Sequence, residues 1–158
     1  MQNKTVKDVM NPDVITVRDR MTAEELAACF EDNEISGAPV VDDEGRLVGV
    51  VSLKDLVRRV TGSGSPAPDR SDPVYYLRDW EDQINPEDFK QLRVVDTETT
   101  VADLMSPVVH SIPEGMSAKA CARKMLEHRV HRLLVTEDGE LKGIVTSFDL
   151  LQLVAEIG

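Results

Sequence analysis

One short pattern of residues occurs twice in this chain, and its side chains could bind a sugar and a phosphate. A glycine is followed by two apolar residues, a hydroxyl residue, two further residues and an aspartate. The hydroxyl and the acid are Ser52 and Asp55 in the first copy, and Thr146 and Asp149 in the second. A carboxylate at a helix start can accept hydrogen bonds from two neighbouring ribose hydroxyls. The adjoining hydroxyl and the free backbone N–H groups of the helix start can hold a phosphate.

The same side chains would also serve as helix caps. A serine or threonine followed three residues later by an acid is a capping signature, and the helix predicted after each copy needs a cap. The residues alone therefore leave a structural and a ligand-binding interpretation open.

The sequence offers little support for catalysis. The histidines are His110, His128 and His131, and none stands beside a serine or cysteine in a recognisable nucleophile motif. No group of His, Cys and Asp residues has the spacing of a zinc site. We therefore expect a protein that is not an enzyme and that requires no metal or cofactor.

The pattern belongs to a longer internal repeat, because residues 6–60 return as residues 101–154. At the start of the repeat "VKDVMNPDVITV" aligns with "VADLMSPVVHSI", and further on "GRLVGVVSLKDL" aligns with "GELKGIVTSFDL". The second copy has one residue fewer in its acidic turn. A unit that occurs only twice indicates a duplicated domain pair. Two such units tend to pack about a pseudo-twofold axis, which makes two similar clefts between them.

Each copy predicts the same order of elements, β-α-β-β-α, and an α+β fold. Thr5 and Thr100 each precede an aspartate by three residues, which predicts a short capped helix ahead of the first strand. Apolar residues at helical spacing follow Thr22 and Ser117, and two apolar strands follow, joined by a glycine turn. The predicted domains are residues 1–60 and 100–158.

The segment between them, residues 61–99, reads as an inserted loop with short helices. It begins with a Gly/Ser/Pro-rich stretch, and Asp72-Pro73 and Asn85-Pro86 are typical of helix starts. Its aromatic residues would either pin the insertion onto the repeats or form a docking surface for a partner chain. These residues are Tyr75, Tyr76, Trp80 and Phe89.

Composition excludes several classes of protein. The net charge of the 158 residues is −11, which disfavours nucleic acid as a partner, since such binders need basic patches. No apolar run approaches the roughly 20 residues of a membrane helix, and the N-terminal residues lack the apolar region of a signal peptide. Cys29 and Cys121 occupy non-equivalent positions and predict no disulfide framework. We expect a cytoplasmic protein with no membrane partner.

The repeated motifs together resemble the cystathionine-β-synthase (CBS) domain. The resemblance is carried by the "DVMNP" and "DLMSP" lead-ins, by "SGAPVVDDEGRLVGVVS" and by "VHRLLVTEDGELKGIVT". A tandem pair of these domains is called a Bateman module. The motifs occur in order, twice, with matching internal spacing, and they leave only the insertion unexplained.

This resemblance implies that an adenosine-containing ligand binds in the clefts: AMP, ADP or ATP, with S-adenosylmethionine and NAD(H) as further candidates. In the family the aspartate of the motif holds the ribose, and the hydroxyl residue contacts ribose or phosphate. Thr16 and Ser111 match a second polar lining position. The residues implied to flank the adenine are Ile15, Ala38 and Pro39 in the first copy, and His110, Leu133 and Leu134 in the second.

The two copies differ at His131 and Arg132, where the first copy has Ser36 and Gly37. "VHRLLV" resembles a stretch in the nucleotide-sensing γ subunit of AMP-activated kinase, in which the histidine and arginine touch phosphate. The forked, permanent charge of arginine suits phosphate. Arg132 could instead pair with surface carboxylates, which are plentiful in this chain. The phosphate interpretation predicts that the two clefts are unequal.

The resemblance implies a regulatory, energy-sensing module that forms a homodimer and acts on an unidentified effector protein. The alternative is a structural or interaction protein with degenerate clefts, which docks a partner through the aromatic insertion.

Overall fold

The computed structural model describes residues 4–61, 98–107 and 111–157, so residues 62–97 of the insertion, with its aromatic residues, and His110 lie outside the described residues. The described part contains six helices and six strands. The helices are α1 (Val6–Val9), α2 (Ala23–Asn33), α3 (Leu53–Thr61), α4 (Val101–Leu104), α5 (Ala118–His128) and α6 (Ser147–Ile157). The strands are β1 (Val17–Arg18), β2 (Gly37–Val41), β3 (Leu47–Ser52), β4 (Ser106–Pro107), β5 (Arg132–Glu137) and β6 (Glu140–Thr146).

The chain folds into two compact units. The first-repeat unit is Ile15–Val108, and the second-repeat unit combines Met1–Val14 with Val109–Gly158. Each unit therefore holds the hairpin and helices of one repeat together with the lead-in of the other. These units do not coincide with the repeat boundaries predicted from the sequence, because hydrogen bonds attach each lead-in to the other repeat.

The first-repeat unit contains a four-stranded sheet in the order β1-β2-β3-β4. Strand β1 runs parallel to β2, and the β2–β3 and β3–β4 pairs are antiparallel. Strand β4 belongs to the lead-in of the second repeat, and it places Ser106 opposite Val50 and Pro107 opposite Gly49. The lead-in helix α4 is attached through the Val101 N–H, which donates to the Met21 carbonyl at 2.7 Å.

The second-repeat unit follows the same plan around the antiparallel β5–β6 hairpin. At one edge Asn11, from the lead-in of the first repeat, exchanges two backbone hydrogen bonds with Ile144, of 2.8 and 2.9 Å. At the other edge Ile112 forms a parallel bridge with Val135. The predicted β-α-β-β-α order is confirmed. In the first repeat the predicted first strand is shortened to β1, since pairing with β2 begins only at Val17. Residues 108–110 of its counterpart in the second repeat lie outside the described residues.

The predicted helix caps are present. The Thr22 and Ser117 hydroxyl oxygens each accept a backbone N–H of the first helical turn, at 3.1 Å. Ahead of α1, the Thr5 N–H donates to the Asp8 carboxylate at 2.9 Å, and this bond holds the pKa of Asp8 below its usual range. The turn glycine Gly45 has a φ of 81°, as the turn pattern predicts.

The predicted apolar stripes of α2 and α5 face the two cores. Leu26 and Phe30 of α2 pack against β1, β2 and α3 in the first-repeat unit. Cys121 and Met125 are their counterparts in α5, and both are buried.

Cys121 is expected to be chemically inert in the folded protein. Its side chain is fully buried, and burial raises its pKa from 9.0 to about 11 because an apolar site disfavours the thiolate. The thiolate is the reactive species, so almost none forms at pH 8. With a disulfide reagent at pH 8, the half-buried Cys29 should react in the native protein, and Cys121 only after denaturation. Rapid labelling of two thiols in the native state would contradict the buried position.

Candidate functional site

The Ser52–Asp55 pair lies where β3 ends and α3 begins. The Ser52 backbone N–H donates to Oδ2 of Asp55 at 2.8 Å, and the Ser52 hydroxyl lies 3.2 Å from the same oxygen. Both side chains are buried, with exposed fractions of 1% for Ser52 and 9% for Asp55. This geometry confirms the capping interpretation for the first copy.

The Thr146–Asp149 pair repeats this arrangement where β6 meets α6. The Thr146 N–H donates to Oδ2 of Asp149 at 2.8 Å, and the Asp149 N–H donates to the Thr146 hydroxyl at 3.2 Å. Both residues are only half-buried, unlike their counterparts in the first copy. The second copy therefore offers the more accessible carboxylate.

Capping and ligand binding do not exclude each other at these aspartates. In both copies the cap involves Oδ2, and a carboxylate has two acceptor oxygens. The second oxygen, Oδ1, is not part of the cap. A helix cap can therefore hold the carboxylate in place while Oδ1 accepts hydrogen bonds from another group.

The strand pairing brings His131 and Arg132 to the same end of the second-repeat sheet as Thr146. Arg132 is the direct cross-strand partner of Thr146, and the Ser147 N–H donates to the His131 carbonyl at 2.8 Å. Arg132 is half-buried and His131 is exposed. The residues Asp149, Thr146, His131 and Arg132, which offer a carboxylate, a hydroxyl, an imidazole and a guanidinium, thus lie at one strand–helix junction.

In the first-repeat unit the equivalent positions carry no charge. Gly37 is the cross-strand partner of Ser52, and the Leu53 N–H donates to the Ser36 carbonyl at 2.8 Å. The backbone geometry of the two junctions is the same, so their difference lies in the side chains. One junction thus has a cationic residue at its strand start and the other has none, and the predicted inequality of the two clefts stays a prediction.

The remaining predicted site residues lie further along the strands. Thr16 immediately precedes β1 and is exposed, whereas the Ala38 and Pro39 side chains of β2 are buried. Ser111 lies beside β5, and its hydroxyl is 2.6 Å from that of Thr136. A ligand role for these residues stays a prediction.

Arg58 also belongs to the first junction, although the sequence motif did not indicate it. Nη1 of Arg58 lies 3.4 Å from Oδ1 of Asp55, and the Arg58 side chain is 24% exposed. The i, i+3 spacing of opposite charges on a helix was the available signal. The equivalent residue of the second copy is Gln152, which is exposed.

A second feature of the second-repeat unit is an exposed apolar face on α5 and α6. Four large apolar side chains have exposed fractions of 78% (Leu126), 67% (Phe148), 62% (Leu151) and 50% (Val154). A groove of about 500 Å³ runs along this face. Its apolar lining includes Met125, Leu126, Val130, Leu150, Leu151 and Val154. We call this surface the α5–α6 face.

The described part of the chain lacks two other kinds of site. No three His, Cys, Asp or Glu side chains within residues 4–61, 98–107 and 111–157 are grouped so that they could hold a metal ion. None of the helices described is both long and apolar enough to cross a bilayer.

The duplicated hairpin, with an aspartate that caps the helix at each strand–helix junction, defines a tandem-repeat α+β protein. The family described as CBS domain matches residues 6–62 and 101–156, and the chain therefore belongs to this family. The predicted domain pair is confirmed.

Known proteins resemble nearly the whole chain. CBSX2 of Arabidopsis thaliana, solved in complex with AMP, has a TM-score of 0.68 and 26% identity, covering 98% of this chain and 99% of that one. The cytosolic domain of the Mg²⁺ channel MgtE, in complex with ATP, has a TM-score of 0.64 and 27% identity, covering 96% and 49%. The uncharacterized protein MJ1225 of Methanocaldococcus jannaschii is 24% identical over 152 residues. The match covers 96% of this chain and only 43% of that relative's length.

Proposed function

We propose that this chain is a non-catalytic regulatory module that binds an adenine nucleotide at the second-repeat junction. The observation that carries the proposal is that Asp149, Thr146 and Arg132 lie at one strand–helix junction. Asp149 would accept hydrogen bonds from the ribose hydroxyls through Oδ1. Thr146 would contact ribose or phosphate.

The two cationic or basic side chains at this junction favour a phosphorylated ligand. The guanidinium of Arg132 can donate two parallel hydrogen bonds to a phosphate, and His131 lies beside it in the sequence. AMP, ADP and ATP are therefore the preferred candidates. AMP in the CBSX2 complex and ATP in the MgtE complex support this choice of class. S-adenosylmethionine and NAD(H) share the adenosine group and stay as alternatives.

Thermal unfolding with each candidate ligand tests the proposal. A ligand that binds only the folded state adds about 2.7 kcal/mol at 100 times its dissociation constant. For a chain of this size, this corresponds to a rise in melting temperature of roughly 5–10 °C. We expect AMP, ADP or ATP to produce such a rise, and Asp149→Asn to remove most of it.

Asp8→Asn is the matched control for Asp149→Asn. Asp8 lies in the same compact unit and caps α1 through a bond of 2.9 Å, compared with 2.8 Å for Asp149. Both variants weaken a cap, but only Asp149→Asn alters the proposed ligand site. The absence of a shift with every adenosine compound, or an equal loss in both variants, would reject the proposal.

We further propose that the module dimerises through its α5–α6 face. The face exposes four large apolar side chains, and three of them, Leu126, Leu151 and Val154, line one groove. Exposed apolar patches of this kind mark interaction sites. The occupant we infer is the acidic helix α2 of a second copy, with the helix α3 that follows it.

Charge complementarity supports this choice of occupant. Helix α2 has four acidic residues and no basic ones, and Glu34 follows it. Helix α5 has three basic residues against the single acid Glu127, and Arg129 follows it. Two α5 helices would repel each other, whereas α5 and α2 would attract. The residues concerned are Glu24, Glu25, Glu31 and Asp32 in α2, and Lys119, Arg123 and Lys124 in α5.

The output of the module would pass to a separate effector protein or through the dimer itself. A ligand shifts the conformational equilibrium of such a module only by its differential affinity for two arrangements. A cytoplasmic location stays a prediction based on the free cysteines and the composition.

A further inference from the structure

We propose that Arg58 weakens ribose binding at the first-repeat junction and so makes the two junctions unequal in affinity. Its guanidinium occupies the carboxylate oxygen of Asp55 that would otherwise accept a ribose hydroxyl. This inference rests on the proposed function, because it assigns a ribose-binding role to the repeated aspartate.

The geometry at Asp55 places donors on both carboxylate oxygens. Oδ2 accepts the Ser52 N–H at 2.8 Å, and Oδ1 pairs with Nη1 of Arg58 at 3.4 Å. Asp55 is 9% exposed, so its charge is screened less by water than that of a surface carboxylate. Ribose hydroxyls arriving at this carboxylate would have to share or displace the guanidinium.

The second copy cannot form the same ion pair. Gln152 occupies the position of Arg58, three residues after the aspartate, and an amide has no charge. Asp149 keeps the backbone cap that Asp55 also has, so the two junctions differ at this position by one charged side chain. Arg58→Gln therefore removes this charged side chain from the first junction, and Gln152→Arg introduces one at the second.

Arg58 could act in the opposite sense, as a phosphate ligand that replaces the charge missing at Ser36 and Gly37. The two roles differ in the part of the ligand they affect. Competition for Asp55 affects the contact with the ribose, so it weakens the binding of adenosine and of AMP alike. A phosphate contact strengthens the binding of AMP alone, since adenosine has no phosphate.

Titration calorimetry of the full chain with adenosine and with AMP tests the inference. The Asp149→Asn background isolates the first-repeat junction. In this background Arg58→Gln should lower the dissociation constants of both compounds about fivefold, which is the upper end of what partly exposed ion pairs contribute. The Asp55→Asn background isolates the other junction. In this background Gln152→Arg should raise the dissociation constants of both compounds by a similar factor.

Two further variants separate the ion pair from general effects. Arg58→Lys keeps the positive charge beside Asp55 and should keep the weak binding. Arg46→Gln removes a cation that pairs with Glu44 on the surface of the same unit, and it should change nothing. Circular dichroism melts of all variants confirm that they fold.

Four results would overturn the inference. Weaker AMP binding by Arg58→Gln with unchanged adenosine binding would make Arg58 a phosphate ligand. Unchanged binding of both compounds, or no binding at the first-repeat junction in any variant while the second still binds, would remove Arg58 from ligand selection. No binding of either compound by the wild-type chain or any variant would reject the proposed function, and this inference with it.

Discussion

Leu151→Glu is expected to convert the proposed dimer into a monomer. The Leu151 side chain lies on the α5–α6 face with 62% of its surface exposed, so its main role in the proposed assembly is contact with the second copy. A carboxylate at this position would lose apolar contact and would be buried without a partner. Central interface residues contribute about 2–4 kcal/mol, which raises the dissociation constant roughly 30- to 1000-fold.

Analytical ultracentrifugation over a concentration series measures this change. The melting temperature of the monomer should hardly move, since substitutions of exposed residues usually change stability by less than about 0.5 kcal/mol. Leu151→Met is the control, because it keeps an apolar side chain of similar volume and should keep the dimer. A wild-type protein that is monomeric at all concentrations would reject the assembly outright.

Charge reversal tests which surface of the second copy meets this face. Reversing Lys119 and Arg123 of α5 to glutamate should weaken the dimer, because α5 would then share the negative charge of α2. Adding Glu24→Lys and Glu31→Lys in the same chain should restore it. If the second pair of changes weakens the dimer further, α5 and α2 are not partners.

Gly143→Ala is expected to lower the free energy of unfolding by about 1–3 kcal/mol, the usual cost of overpacking. A β-carbon at Gly143 would lie 2.7 Å from the carbonyl oxygen of Asn11 and 3.0 Å from the sulfur of Met10. The methionine can move, but the Asn11 carbonyl is fixed by the backbone bond it accepts from Ile144. The sheet edge would have to shift.

The same result is expected for Gly49→Ala in the other unit. Here a β-carbon would lie 2.6 Å from the Met105 sulfur and 2.7 Å from the Ser106 carbonyl oxygen. Gly115→Ala is the matched control, because no heavy atom lies within 4 Å of its β-carbon. It should be neutral or stabilise slightly. Chemical denaturation of the three variants measures the differences, and equal stability of Gly143→Ala and Gly115→Ala would contradict the close approach.

Much of the local structure was predictable because its signals act over a few residues. The Ser52–Asp55 and Thr146–Asp149 spacings predict helix caps, and both caps are present. Turn geometry at Gly45 follows from the same kind of local rule. The repeat itself predicted that two junctions share one plan.

The ion pair at Asp55 could have been predicted only in part. The i, i+3 spacing of Asp55 and Arg58 on one helix indicates a contact, but spacing does not tell which carboxylate oxygen is engaged. That depends on the cap, which fixes Oδ2 and leaves Oδ1 to Arg58. The pattern of residue types thus predicts the junction. Which oxygen each donor contacts is known only from the structure.

By itself the sequence determined the duplicated unit, its order of elements, its caps and the acid at each strand–helix junction. Tertiary structure alone decided that each lead-in completes the sheet edge of the other repeat, as Asn11 does against Ile144. It also explained the two motif glycines and revealed the exposed α5–α6 face. The physical reason is that caps and turns depend on neighbouring residues, whereas edge pairing, close backbone approach and exposure depend on segments far apart in the chain.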